Sequence, residues 1–187
     1  MEEKQLTYLS LFAGGGGGDI AMSLFLGMRC LGYVEWNPNC AKLLQQRIED
    51  GHFCRAPIFN CDIREWVKQG YANAYKGMVD VVTGGFPCQP FSAAGVRQAE
   101  GDERNMWPAT RETIRLVQPR FAFLENVSNL ITFPYIREIV HDLAKIVYDA
   151  RWCVLSAKDV GGFHLRKRLW ILAASSDGIK SGRITIK

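Results

Sequence analysis

One cysteine stands between two prolines in the segment GGFPCQPFS, residues 84–92. A thiolate attacks electrophilic carbon well and also departs readily. Pro87 and Pro90 fix φ around Cys88, so the segment is stiff, as a reactive group that must hold its geometry requires. The segment predicts a nucleophilic cysteine. The alternative is a buried loop cysteine with incidental prolines.

An acid and two guanidinium groups further along the chain could assist this nucleophile. Glu125 ends the apolar run FAFLE, and a desolvated carboxyl there could act as a general acid. In extended backbone, Arg166 and Arg168 of HLRKR would share one face and could bind a carbonyl oxygen or lower a thiol pKa. The alternatives are a helix-capping acid and a solvated basic edge.

A second group of residues predicts a nucleotide-like ligand. The run Phe12–Gly18 (FAGGGGG) offers backbone amides that a ligand can approach closely. Glu35 follows the first of these glycines by 21 residues, a spacing at which an acid can bind ribose hydroxyls. Trp36 could stack on a purine, and Asp62 could accept from an adenine amino group. The alternatives are a plain loop, a helix-capping Glu35 beside a half-buried indole, and an Asp62 that caps the next helix.

These residues follow strands in a pattern of alternating strands and helices. The predicted strands are Leu6–Phe12, Cys30–Glu35, Pro57–Asn60, Met78–Thr83, Phe121–Glu125, Trp152–Ala157 and Leu169–Ala174. The predicted helices are Asp19–Leu26, Asn37–Glu49, a short helix ending at Lys68, Pro108–Val117 and Pro134–Tyr148. Short apolar strands between helices favour an α/β fold with a mostly parallel sheet and helices on both faces. Ligands bind such sheets at the carboxyl ends of the strands, where the residues above lie.

The composition limits the class of protein. The 187 residues are 48% hydrophobic and 22% charged, which is typical of a single soluble domain. The net charge of +4 permits a polyanionic partner without requiring one. The sequence contains no run of eighteen apolar residues and starts with polar residues, so we expect a cytoplasmic protein without a membrane span. The six cysteines form no CxxC pair and do not cluster with the three histidines, so we expect reduced thiols and no metal.

Taken in chain order, these features resemble the cytosine-5 DNA methyltransferase family. The resemblance covers roughly Thr7 to Ala174 and consists of the motifs LFAGGGGG, VEWNP, GGFPCQPFS, LENV and HLRKR. It implies a Rossmann-like methyltransferase fold that binds S-adenosylmethionine, releases S-adenosylhomocysteine and needs no metal. Glu35 would hold the ribose and Trp36 would stack on adenine. The implied cofactor-binding residues are Phe12, Gly14, Gly16, Gly17, Glu35, Trp36, Asp62, Ile63, Gly85 and Trp107.

The resemblance also implies a mechanism on double-stranded DNA with a flipped cytosine. The Cys88 thiolate would add to C6 of that base. Glu125 would act at N3, and Arg168 with Arg166 would polarise O2. The implied DNA contacts are Gln89, Ser92, Arg97 and Asn126, and Arg104 would help hold the loop closed.

The chain departs from the family pattern in two respects. His164 stands where the family usually has glutamine, and Phe163 stands where it usually has proline. We expect activity to survive these changes, because histidine can still donate a hydrogen bond. Residues 1–174 are predicted to form the catalytic, cofactor-binding domain, and residues 175–187 a tail too short for the family's target-recognition lobe. We therefore expect a second polypeptide to supply DNA specificity, in a restriction–modification or phage setting. The alternatives are a truncated chain or gene remnant, a non-catalytic cofactor-binding or regulatory subunit, and an RNA cytosine methyltransferase.

Overall fold

A seven-stranded sheet forms the centre of the computed structural model, which describes residues 5–87, 105–132 and 134–176. The strands are β1 Thr7–Leu11, β2 Arg29–Val34, β3 Ile58–Phe59, β4 Val81–Gly85, β5 Phe121–Val127, β6 Tyr148–Leu155 and β7 Arg168–Ser175. Their order across the sheet is β3-β2-β1-β4-β5-β7-β6. Strands β1 to β5 pair in parallel, whereas β7 runs antiparallel to both β5 and β6. The predicted α/β fold with a mostly parallel sheet is confirmed.

Helices connect the strands and cover both faces of the sheet. The helices are α1 Gly17–Ile20, α2 Pro38–Glu49, α3 Ile63–Lys68, α4 Trp107–Val117 and α5 Tyr135–Lys145. A π-helical turn follows α1 at Ala21–Phe25, and 3-10 turns occupy Tyr71–Tyr75, Ser128–Thr132 and Lys158–Val160. Within the described ranges, no helix has the length and apolar character needed to cross a membrane.

Neighbouring residues of each central strand enter different parts of the core. Leu9 of β1 belongs to a cluster that includes apolar residues of α3, α4 and α5. Tyr8 belongs to a second cluster with residues of α2 and of the π-helical turn. On β4, Val82 belongs to the first cluster and Val81 to the second. Because side chains alternate across a strand, the two clusters lie on opposite faces of the sheet, which explains the nearly continuous apolar strand sequences.

Local sequence fixes where α2 and α3 begin. Asn37 precedes α2, and its Oδ1 accepts a hydrogen bond from the Asn39 amide at 2.9 Å. Asp62 precedes α3, and its Oδ1 accepts from the Arg64 amide at 2.8 Å. Each side chain satisfies an amide that has no partner within the helix. The cap predicted at Asn37 and the capping alternative at Asp62 are both confirmed.

Two helices differ from the sequence predictions. The predicted helix Asp19–Leu26 is a four-residue α-helix followed by the π-helical turn, in which the Leu26 amide bonds to the Ala21 carbonyl. The predicted helix Pro134–Tyr148 ends earlier because Val147 has a φ of 69°. Tyr148 instead begins β6 and donates its hydroxyl to the Pro119 carbonyl at 2.6 Å. Helical spacing of apolar residues did not distinguish the last helical turn from the start of the buried strand.

The fourth and sixth strands differ most from their predicted bounds, and the fifth continues two residues past Glu125 to Val127. The fourth strand begins at Val81 rather than Met78 and continues through Gly85, because its glycines pair with β5. The sixth strand begins four residues before the predicted Trp152.

Gly16 permits the tight turn between β1 and α1. Its φ is 83°, and a β-carbon there would overlap the Phe53 ring. Two separate features of this position therefore require glycine: a left-handed backbone and a close ring contact.

We expect Gly16→Ala to lower the free energy of unfolding by about 1–3 kcal/mol, through left-handed strain and overpacking. Gly18→Ala is the matched control, because Gly18 has an ordinary φ and no atom within 4 Å of an added β-carbon. Urea unfolding without ligand measures both variants. Equal stability of the two variants would contradict the assigned role of Gly16.

Candidate active site

A buried carboxylate joins the glycine turn to the start of α2. Glu35 is 5% exposed, and its Oε2 accepts a hydrogen bond from the Gly14 amide at 2.7 Å. Its Oε1 accepts from the Asn37 amide, also at 2.7 Å. Glu35 therefore holds the backbone of the glycine turn and the backbone at the start of α2. The second contact is similar to the helix-capping role given as the alternative. A carboxylate has about four acceptor sites, so ribose binding is compatible with these bonds and stays a prediction.

Trp36 projects from the same edge of the sheet. Its side chain is 73% exposed, so the alternative of a half-buried indole is wrong. The loop after β3 fixes the backbone beside it, because Asn60 Nδ2 donates to the carbonyls of Glu35 and Trp36 at 2.8 and 3.1 Å. Sequence reasoning missed Asn60, since its partners lie on a different loop. The indole is available to a planar ligand.

Asp62 and Ile63 follow β3 at this edge. The side chain of Arg64 donates to both Asp62 carboxylate oxygens, at 2.9 and 2.7 Å. This hydrogen bonding lowers the pKa of Asp62 despite partial burial. Ile63 is 3% exposed and packs in the core. Contacts of either residue with adenine stay predictions.

The end of the glycine run, at Gly17, leaves open space beside its backbone. Phe12 and Gly14 have φ values of 52° and 56°, which turn the chain sharply after β1. A side chain on Gly17 would meet no atom within 4 Å. The turn, the exposed Trp36 and the buried Glu35 lie after neighbouring parallel strands. Residues of these types fit a nucleoside ligand such as S-adenosylmethionine.

Glu125 and Arg168 form an ion pair at the other end of this edge. Arg168 Nε lies 2.6 Å from Glu125 Oε1, and the two side chains are 27% and 30% exposed. Antiparallel pairing places Arg168 opposite Val127, two residues beyond Glu125, so both side chains lie on the same face. Glu125 pairs with strand neighbours on both sides, so the helix-capping alternative does not apply to it.

The missing side chain of Gly85 provides space for this ion pair. Gly85 is the strand neighbour of Glu125, and a β-carbon on it would lie 2.8 Å from Glu125 Oε2. Arg166 has a φ of 21°, and β7 begins only at Arg168. The assumption that the two arginines share one extended face is therefore wrong, although Arg168 does reach the predicted acid.

Asn126 anchors the chain just before the predicted nucleophile. It is 3% exposed, and its Nδ2 donates to the Phe86 carbonyl at 2.9 Å. Its Oδ1 accepts from the Val127 amide at 2.8 Å. Asn126 thus holds backbone inside the protein, and its predicted contact with DNA stays a prediction.

Trp107 lies in the core beside the same anchor. Its ring centroid is 5.5 Å from that of Phe86, and its Nε1 donates to Asp142 Oδ2 at 3.1 Å. Arg111 and Lys145 form ion pairs with the same carboxylate. Trp107 is 1% exposed, and its contact with a cofactor stays a prediction. No local pattern predicts the pairing of Trp107 with Asp142, because the two residues lie on different helices.

Six residues singled out from the sequence lie outside the described residues: Cys88, Gln89, Pro90, Ser92, Arg97 and Arg104. Where the chain is described, no group of three or more His, Cys, Asp or Glu side chains is arranged to hold a metal ion.

A sequence model of C-5 cytosine-specific DNA methylases matches residues 6–186 of the chain. The chain belongs to this family. The match includes every strand described above and the segment that carries Cys88.

Known relatives support the family assignment and the fold. Type II methyltransferase M.NgoMIV of Neisseria gonorrhoeae is 28% identical over 92% of this chain and 53% of its own length. A DNMT2 structure from Spodoptera frugiperda has a TM-score of 0.71 and 19% identity, covering 92% of this chain and 51% of its own. M. jannaschii TYW2, solved in complex with AdoMet, has a TM-score of 0.58 and 12% identity, covering 93% of this chain and 69% of its own. The chain spans about half the length of most of the curated relatives it matches.

We expect Asn126→Ala to lower the free energy of unfolding by about 1–3 kcal/mol, because it removes the partner of the buried Phe86 carbonyl. Asn129→Ala, at an exposed position nearby, is the matched control and should change stability by less than about 0.5 kcal/mol. Urea unfolding compares the two. An Asn126 variant as stable as the control would show that the anchor contributes little.

Proposed function

We propose that this chain is the catalytic and cofactor-binding part of a DNA (cytosine-5) methyltransferase. The observation that carries the proposal is the Glu125–Arg168 ion pair, at the same sheet edge as the glycine turn and beside the strand that leads to Cys88. A non-catalytic subunit would not require an acid and a guanidinium group assembled there. The Type II methyltransferase relatives support a restriction–modification role.

S-adenosylmethionine is the proposed cofactor, and when bound it supplies an electrophilic methyl group. Glu35 would bind the ribose, and the exposed Trp36 would stack on adenine. Asp62 and Ile63 would lie at the adenine edge. The backbone of the glycine turn would face the remainder of the ligand.

The proposed chemistry follows from the low nucleophilicity of cytosine C5. The Cys88 thiolate adds to C6, and Glu125 supplies a proton at N3, so that the ring becomes an enamine with a nucleophilic C5. For this step Glu125 must carry a proton, so Arg168 leaves its ion pair with Glu125 and binds the O2 oxygen of the base, with Arg166 assisting. After methylation, loss of the C5 proton to a base expels the thiolate, and return of the N3 proton to Glu125 restores the neutral ring. Serine would serve poorly as the nucleophile because its alkoxide is scarce near neutral pH.

The proposed substrate is double-stranded DNA with the target cytosine flipped out of the helix, because a stacked base cannot be reached from both faces. Gln89, Ser92 and Arg97 are the proposed contacts to this strand. We propose that a region equivalent to the part of the relatives that this chain does not span, on this or on a second polypeptide, supplies sequence specificity, since base contacts specify the target.

Trp36→Ala tests cofactor binding. Loss of base stacking, worth about 1–3 kcal/mol, should weaken S-adenosylhomocysteine binding by about tenfold or more in calorimetry. Trp152→Ala is the matched control, because this tryptophan is 44% exposed on β6. Equal affinities of the two variants would contradict the assigned role of Trp36.

Trapping on duplex DNA that carries 5-fluorocytosine tests the covalent step. The fluorine cannot leave as the C5 proton does, so the adduct should persist and shift the protein on a denaturing gel. The chain is used both alone and together with the second half of a full-length relative. Cys88→Ala should abolish the adduct, whereas Cys153→Ala, which removes an exposed cysteine, should retain it. If no Cys88-dependent adduct forms in either arrangement, the catalytic proposal fails.

A further inference from the structure

The first turn of α1 contains a buried carboxyl group that the proposed chemistry does not use. Asp19 is 1% exposed. Its Oδ2 lies 3.2 Å from the hydroxyl oxygen of Ser10 on β1, which can donate to it. This bond joins the short α1 helix to the central sheet, immediately after a turn made almost entirely of glycine. A helix of four residues has little stability of its own, so its position depends on such contacts.

Two buried polar atoms beside this bond have no hydrogen-bond partner: the Tyr8 hydroxyl and Asp19 Oδ1. Tyr8 and Ser10 are two residues apart on β1, so their side chains lie on the same face of the sheet as Asp19. The hydroxyl is a donor and the carboxylate oxygen is an acceptor. The Tyr8 hydroxyl is close enough to Asp19 to lower the pKa of its carboxyl group. Pairing the two unpartnered atoms would let the carboxylate bridge two hydroxyls of β1.

The surroundings of Asp19 contain no cation within the described residues. The groups that face it are Tyr8 and Ser10 from β1, and Cys30 and Tyr33 from β2. Burial raises the pKa of Asp19 to about 6, and the hydroxyls of Ser10 and Tyr8 offset part of this effect. Burial, and then the charge of Asp19, raise the pKa of Cys30 to about 12. The charge of Cys54 contributes to raising the pKa of Tyr33.

We propose that Asp19 is a positioning residue: its carboxylate bridges the hydroxyls of Tyr8 and Ser10 and holds the glycine turn in the conformation that binds the cofactor. The proposal rests on the proposed binding of S-adenosylmethionine. Glu35 binds the turn at Gly14, near the end of β1, and Asp19 binds the sheet from the far side of the turn. The backbone that faces the ligand is therefore held by two buried carboxyl groups.

This role predicts opposite effects on stability and on affinity. The folded-state pKa of Asp19 is raised from 3.8 to about 6, so between these values the folded chain retains a proton that the unfolded chain has lost. The free energy of unfolding therefore falls as the pH rises through this window and does not recover above it. The ionised form is the less stable one, yet it is the form that can accept from both hydroxyls. If Asp19 only stabilised the fold, a change in its protonation would change the free energy of unfolding and the affinity for the cofactor in the same direction.

The test uses Asp19→Asn, which keeps the shape and removes the charge, with S-adenosylhomocysteine as the probe in calorimetry from pH 5 to pH 8. The wild-type affinity should fall several-fold as the pH drops through about 6. The variant should bind about fivefold more weakly at pH 8, the equivalent of about one hydrogen bond. Its affinity should not change between pH 5 and pH 8. Tyr8→Phe should also weaken binding at pH 8. Asp50→Asn, at an exposed position, is the matched control and should reproduce the wild-type profile.

Thermal unfolding without ligand provides the second readout. Asp19→Asn should unfold at a higher temperature than the wild type at pH 7.5, and this gain should shrink at pH 4. At pH 7.5 the effects of Asp19→Asn and Tyr8→Phe should be non-additive. If the wild type fails to bind S-adenosylhomocysteine, the proposed cofactor fails, and the unfolding data still decide whether the bridge forms. Additive effects, or an unchanged affinity profile in Asp19→Asn, would overturn the role of Asp19.

Discussion

Parallel pairing of β1 to β5 is the constraint on which the candidate site depends. Because these strands run in the same direction, the chain leaves each of them at the same edge of the sheet. The glycine turn, Glu35, Asp62 and Phe86 all follow the ends of neighbouring strands. Antiparallel β7 then brings its first residue, Arg168, to the same edge from the opposite direction. Residues more than 150 positions apart in the chain, from the glycine turn to Arg168, are thus assembled at one edge.

Many of the polar side chains at this edge bind the protein's own backbone. Glu35 accepts from two amides, Asp62 caps α3, and Asn126 donates to the Phe86 carbonyl. These bonds fix loops that have little regular structure of their own. A site built from loops needs such supports, because reacting groups must keep their geometry to within fractions of an ångström. Ligand binding and backbone support are therefore not exclusive roles for these residues.

The fold was largely predictable because its signals are local. Seven apolar runs became seven strands, and the caps at Asn37 and Asp62 begin the expected helices. The wrongly predicted boundaries occur where the local sequence pattern and the tertiary packing favour different structures. Val147 and Tyr148 continue a helical pattern of apolar residues, but the left-handed backbone at Val147 and the buried hydroxyl of Tyr148 assign them to a turn and a strand. The glycines at the end of β4 predict a loop, but they pair with β5 and extend the strand.

The sequence by itself determined which chemical groups the protein has and the order in which they occur, since residue types, strand signals and motif spacing are properties of the chain. Only the tertiary structure decided which of these groups meet. The pairing of Glu125 with Arg168 requires an antiparallel strand whose direction no local pattern encodes, and it requires a neighbour without a side chain at Gly85. The burial of Asp19 and Asn126 likewise depends on packing between distant elements. Sequence spacing cannot specify such contacts, because they depend on how separate parts of the chain are arranged in space.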